Sequence, residues 1–152
     1  MKIKVELQLI ELEDDNLHLV VTSDFREGVT GNWIIDTGAS KTVFDLGLEN
    51  LYRLEGEETE QVHTAGIGNK TIKTAIGRLN TFSLGKLNVE NLRVALIDLS
   101  HINRFYSQAA GMNICGLLGG DFLLMHKAVI DYKKKLLILE AKRQKAGYMV
   151  FR

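Results

Sequence analysis

The chain of 152 residues has no proline, a single cysteine and no net charge. Without proline, no turn can rest on a proline-fixed backbone angle. One cysteine excludes an internal disulfide, and the apolar neighbours of Cys115, Ile114 and Leu117, predict a buried structural thiol rather than a nucleophile. The 19 basic and 19 acidic side chains cancel, which removes the general field that would attract nucleic acid or an anionic membrane. Partners must then be chosen by local shape and polarity. No uninterrupted apolar stretch approaches the roughly twenty residues that cross a bilayer. The N-terminus alternates charged with apolar residues where a signal peptide would carry an apolar core. A soluble, cytoplasmic protein is the expectation.

Ligand motifs are missing as well. His18, His63, His101 and His126 are scattered, with neither His-Glu-x-x-His nor a Cys/His spacing, so no metal is expected. Gly66-Ile67-Gly68-Asn69 lacks the Gly-Lys-Ser/Thr ending of a phosphate loop and the spacing of a dinucleotide fingerprint, and reads as a hairpin turn. The acidic stretch Glu55 to Glu60 reads as a solvated loop, since it has no histidine or further carboxylates at metal-binding spacing.

What the chain does have is alternation. Ile3, Val5, Leu7 and Leu9 alternate with Lys2, Lys4, Glu6 and Gln8, the period of a strand with one buried face. Glu13-Asp14-Asp15-Asn16 offers a polar turn before Leu17 to Val21 returns, so the chain is expected to open with a hairpin. Trp33 to Ile35 and Thr42 to Phe44 read as extended apolar segments, and Asp45 to Leu54 has room for one or two helical turns. Strand-like pieces follow at Thr71 to Leu79, Thr81 to Leu84 and Leu87 to Ile97, the last pair separated by Gly85-Lys86. Leu99 to Met112 reads equally as a helical turn or a long surface loop. Ala128 to Tyr132 and Leu136 to Glu140 flank Lys133-Lys134-Lys135, a hairpin with an exposed basic tip. Many short strands with regular turns argue for an all-β barrel or sandwich. The length suits one domain that buries roughly two-thirds of its unfolded surface.

The chemistry concentrates at Trp33-Ile34-Ile35-Asp36-Thr37-Gly38-Ala39-Ser40. A carboxylate here leaves a buried strand at a turn, which the Thr37 hydroxyl can lock and where Gly38 lets another chain approach closely. Asp-Thr-Gly-Ala-Ser resembles the active-site motif of the aspartic proteases, in particular the single-lobed, retropepsin-like group. About eighty residues further on, Ile114-Cys115-Gly116-Leu117-Leu118-Gly119-Gly120-Asp121-Phe122-Leu123 resembles the second landmark of that family. Leu117-Leu118-Gly119 would pass behind the catalytic loop, Asp121 to Met125 would begin a short helix, and the hairpin from Ala128 would close the domain. Between the landmarks, Val62-His63-Thr64-Ala65-Gly66-Ile67-Gly68-Asn69-Lys70-Thr71-Ile72 is similar to the glycine-tipped flap that folds over substrate. The resemblance spans roughly residues 3 to 140 and divides the chain into a protease domain over 1–141 and a tail over 142–152. Two assignments stay open for the tail, a strand exchanged across a dimer or a mobile basic end.

The resemblance implies a single-lobe acid-protease β-barrel with a flap hairpin and one or two short helices, acting as a twofold homodimer. Such an enzyme needs two facing carboxylates and the chain carries one Asp-Thr-Gly, so a partner copy supplies the second. Asp36, Thr37 and Gly38 would be catalytic, with the two Thr37 hydroxyls bonded across the axis. Ala39, Ser40, Ala65, Gly66, Ile67, Gly68, Leu117 and Leu118 would contact a peptide or protein substrate, with His63 within reach. Two carboxylates so close share a proton and titrate as a pair, of which this family is a well-known case. One acts as general base on a water; the other, protonated, polarises the scissile carbonyl and then protonates the leaving amine. No cofactor or metal is implied. Ala39 stands where a hydroxyl would favour the ionised carboxylates, which predicts activity at mildly acidic to near-neutral pH.

Two residues depart from the viral pattern. Gly120 stands where the viral enzymes carry an arginine paired with an acid near the site, so that network is absent or built differently. Ser40 stands where they carry an acid, which moves the chain toward cellular and bacterial relatives. The alternative reading is a peptide-binding module of the same fold that no longer cleaves.

Overall fold

A computed structural model describes residues 1–12, 15–64, 68–142 and 150–151, with side chains described in those ranges except at 59–72 and 150–151. In chain order the strands and helices are β1 (Lys2–Glu6), β2 (Gln8–Leu12), β3 (Asn16–Asp24), β4 (Thr30–Ile35), β5 (Val43–Asp45), β6 (Tyr52–Thr64), β7 (Gly68–Leu79), β8 (Phe82–Leu84), β9 (Leu87–Val89), β10 (Arg93–Ile97), α1 (Ser100–Ala110), β11 (Ile114–Leu118), α2 (Gly120–Met125), β12 (Val129–Asp131), β13 (Leu136–Glu140) and β14 (Val150–Phe151). The protein is mostly β, as the alternation predicts. Among the described residues one sheet runs β1-β13-β12, and a larger one runs β14-β9-β8-β3-β4-β11-β5-β10-β7-β6, with β2 paired to β3. No described helix is long and apolar enough to cross a membrane.

The core forms where the strand period delivers aromatic residues to one face. Along β4, Gly31, Trp33 and Ile35 are buried while Asn32 and Ile34 are half-buried. The Trp33 ring stacks on Phe82 at 5.5 Å and tilts against Phe44 at the same distance. Its indole N–H donates to the Ser23 hydroxyl at 2.9 Å, so the polar handle of a fully buried ring is satisfied. Cys115 is buried in the same core, and burial pushes its thiol well above the usual range, as suits a structural cysteine.

Several segments fold differently from their sequence reading. The opening run divides at Leu7: β1 joins β13 in the small sheet, and only β2 forms the hairpin with β3. Leu7 is buried at the crossing and its N–H donates to the Lys135 carbonyl. Glu55 to Glu60 lies within β6, because guanidinium and ammonium groups on neighbouring strands and loops answer the acids at 55 and 58. Leu87 to Ile97 is two strands, parted by a turn in which Asn91 adopts φ of 54°. Within Asp45 to Leu54 only Glu49–Leu51 coils, as a single 3-10 turn. Leu99 to Met112 resolves into α1, which Gly111 ends in the left-handed region at φ of 65°. The closing hairpin matches its reading, with Lys133 to Lys135 exposed at the tip. In the tail, Val150–Phe151 lies parallel to β9, a third placement beside the two considered.

Candidate active site

The position of Asp36 follows from strand parity and from an unusual order of strands. Trp33 and Ile35 point into the core, so Ile34 and then Asp36 fall on the opposite face. β11 runs parallel to β4, with Leu117 beside Ile34 and Leu118 beside Ile35, and it is also antiparallel to β5. Because β11 lies between β4 and β5, residues 36–42 must cross the end of β11 to reach β5. The Asp36 N–H extends the ladder by donating to the Leu118 carbonyl at 2.9 Å.

That crossing is tied down by short bonds. The Gly38 N–H donates to Asp36 Oδ1 at 3.0 Å and the Ala39 N–H to the Asp36 carbonyl at 3.2 Å, which closes the turn on the carboxylate itself. From below, the Gly120 N–H donates to the Ala39 carbonyl at 2.7 Å and the Asp121 N–H to the Ser40 carbonyl at 3.2 Å. The buried Thr42 hydroxyl donates to Asp121 Oδ1 at 2.7 Å and accepts from the Gly119 N–H at 3.1 Å, while the Thr42 N–H donates to Asp121 Oδ2 at 3.1 Å. Glycine is required at 119, since a Cβ there would lie 2.7 Å from the Lys41 carbonyl group. Thr42 and Asp121 thus tie the Asp36 loop to the start of α2, where Gly120 offers no side chain. Sequence reading placed Asp121 only as the start of a helix; its signal was an acid directly after Gly119-Gly120, in the first turn of α2.

Asp36 is half-buried, and Thr37, Gly38 and Ser40 are exposed. Thr37 does not lock the turn as expected: the Asp36 carboxylate and carbonyl do so, and the Thr37 hydroxyl makes no hydrogen bond among the described residues. Asp36 and Thr37 border a cleft of about 650 Å³. Its walls are Ile34 and Leu117 from the large sheet, Leu17 to Leu19 from β3, Ile130 and Tyr132 at β12, and His101, Ile102, Phe105 and Tyr106 from α1. At its back His18 Nδ1 and the Tyr106 hydroxyl share a hydrogen bond, and burial pushes the Tyr106 pKa up to about 12. The contribution of α1 was not foreseen, although Ile102, Phe105, Tyr106, Ala109 and Ala110 repeat at helical spacing and were the signal that could have found it.

The other expected substrate contacts divide. Leu117 reaches this cleft, whereas Leu118 is fully buried in the core and has no face to offer a substrate. Ala39 and Ser40 line a second cavity of about 370 Å³, together with Val43, Ile76, Ile97, Lys41 and Glu58. Glu58 accepts from Lys41 at 2.9 Å and from Arg93, and these bonds, Lys41 first, hold its carboxyl below the usual value. Ala65, Gly66 and Ile67 lie outside the described residues. Gly68 is paired with Thr64 and His63 with Asn69 near the far end of the β6–β7 hairpin, and the His63 side chain lies outside the described residues.

The chain resembles a solved retropepsin-like aspartic protease from Rickettsia conorii, with 22% identity over 91% of this chain and 89% of that one, at a TM-score of 0.46. No curated protein matches. The family described as aspartyl protease matches residues 21–122, a span that runs from β3 through the Asp36 loop to α2. The chain belongs to the aspartyl protease family.

Proposed function

We propose that the protein is an aspartic endopeptidase that works as a twofold homodimer, one Asp36 coming from each copy. The observation that carries this reading is a cleft with Asp36 at its edge: among the described residues Asp36 is the only acid that lines it, half-buried on a tightly bonded loop beside an exposed Thr37. General acid and general base work by carboxylates needs two of them, in opposite protonation states. A second copy brought up on the exposed Thr37-Gly38 side supplies the partner acid, and the paired groups then share one proton. The water held between them is the nucleophile. Its proton passes to the ionised Asp36 as its oxygen attacks the scissile carbonyl, and the protonated Asp36 gives its proton to the departing amine.

The substrate is an extended peptide. Apolar surface left open around the cleft supports this, with Leu17 50%, Phe105 45% and Tyr132 60% exposed. The β6–β7 hairpin covers the peptide from the other side, offering backbone groups. Ala39 donates no hydroxyl hydrogen bond to the pair, so activity peaks at mildly acidic to near-neutral pH; a profile rising only in strong acid would contradict this.

The test is mass-spectrometric detection of cleavage in a diverse peptide library between about pH 4 and 7.5, comparing wild type with Asp36→Asn at concentrations that populate the dimer. Cleavage that disappears in the variant is expected. A dimer that binds peptides without cutting them would favour the binding-module reading.

A further inference from the structure

The β6–β7 hairpin is held by the sheet only at its base. β7 pairs with β10 from Arg78↔Arg93 to Ala75↔Leu96. Beyond that row, among the described residues, β6 and β7 pair only with each other. The first unsupported row is Glu58↔Thr74. At this row Glu58 accepts from Lys41, at the exit of the catalytic loop, and from Arg93, on β10. Just below, the β6–β7 register shifts between Leu54 and Gly56, and Gly56 adopts φ of +150°, a backbone that side chains rarely tolerate. Glu55, beside this bulge, accepts from Arg78 at 3.1 Å and lies 3.7 Å from Arg93. The hairpin therefore leaves the sheet through a glycine bulge, followed at once by an acid pinned from two directions. One pin crosses the cavity that Gly38, Ala39 and Ser40 line, so it connects the covering hairpin directly to the loop that carries Asp36.

We propose that Lys41, Glu58 and Arg93 form a charge clasp that sets how the β6–β7 hairpin stands over the Asp36 loop, which makes Lys41 and Glu58 positioning residues for peptide binding. This rests on the peptidase reading for its consequence in catalysis, though not for the clasp itself. The side chains of Lys41, Glu58 and Arg93 are 45%, 35% and 40% exposed. Ion pairs so open to water are individually weak and are screened by salt. Bonds of that kind suit a cover that must open for a peptide and then reseat.

The experiment has two readouts. Amide hydrogen exchange of residues 59–64 and 68–73 is measured on the free protein, and KM and kcat are measured on a peptide found in the library screen. Glu58→Gln and Lys41→Met are each expected to speed exchange in the outer hairpin about threefold and raise KM about threefold, with kcat changed less than about twofold and exchange in β4 and β11 unaltered. Lys41→Arg keeps wild-type values on both readouts, and added salt speeds hairpin exchange in wild type more than in Glu58→Gln, which removes both pairs. Unchanged hairpin exchange in Glu58→Gln and Lys41→Met would overturn the clasp. So would a Lys41→Arg that behaves like Lys41→Met, or a fall in kcat with KM unmoved. A wild type that neither cuts nor binds any peptide, while exchange follows the expected pattern, would overturn the peptidase reading and leave the clasp standing.

Discussion

The two sides of the cavity that Gly38, Ala39 and Ser40 share with Glu58, Thr74 and Ile76 are built in opposite ways. The Asp36 loop is closed by its own carboxylate and tied to β11 and α2 by backbone bonds and by the bonds of the buried Thr42 to Asp121. The β6–β7 hairpin facing it leaves the sheet above Ala75 and is met there by ion pairs open to solvent. The proposed pairing of two Asp36 carboxylates needs each in a fixed position, and a loop tied by many short-range backbone and side-chain bonds provides one. A cover that admits a peptide needs contacts that water and salt can compete for. Stiffness and compliance are thus assigned by the kind of bond, backbone and hydroxyl bonds on one side and exposed ion pairs on the other, within a few residues of each other.

The largest effects are expected on the stiff side. A Cβ on Gly116 would lie 2.3 Å from the Val43 carbonyl oxygen and 2.7 Å from the Trp33 ring. Gly116→Ala should therefore force apart β11, β5 and the core, at a cost of about 3 kcal/mol in urea unfolding. A loss below about 1 kcal/mol would show that the crossing has slack. Thr42→Val keeps the shape but removes the hydroxyl shared by Asp121 and the Gly119 N–H. It should cost about 2 kcal/mol by the same assay and lower kcat about tenfold or more as the loop shifts. An active, stable Thr42→Val would mean that the backbone bonds suffice.

On the compliant side, Glu58→Gln should leave the melting temperature unchanged while KM rises, since exposed ion pairs contribute little to stability. A large drop in melting temperature would place Glu58 among the structural groups and erase the contrast. The smallest effect concerns His126, fully buried against Phe122 of α2, whose pKa burial lowers from 6.5. The unfolded chain takes up this proton more readily than the folded one, so the contribution is complete above about pH 6.5 and is lost as pH falls toward the folded value. The decline of melting temperature from about pH 7.5 to 5.5 should be shallower in His126→Gln than in wild type; equal slopes would assign the acid sensitivity elsewhere.

Much of the stiff side can be read in the sequence. Trp33-Ile34-Ile35-Asp36 states its own parity, and Leu117-Leu118-Gly119 states an apolar strand ending at a close approach. The compliant side and the helical wall were harder. Glu55 to Glu60 looks like a loop because its partners, Arg78, Arg93 and Lys41, are far away in sequence and declare themselves only when β6, β7 and β10 come together. α1 does carry a helical period, with Ile102, Phe105, Tyr106, Ala109 and Ala110 on one face, but its N-cap residue, Leu99, offers no capping side chain, so its start is not signalled there. Leu118 was misplaced for a simpler reason. Adjacent strand residues face opposite ways, and only Leu117 shares the side of Asp36.

The claim on which the account turns is that two copies of Asp36 make one site. Wild type is mixed with Asp36→Asn at fixed total protein, well above the concentration at which copies separate, and the cleavage rate is followed against the wild-type fraction. A shared site predicts a rate that falls as the square of that fraction, to about a quarter at equal mixing. A straight line, with about half the rate remaining at equal mixing, would mean that each chain acts alone and would contradict it.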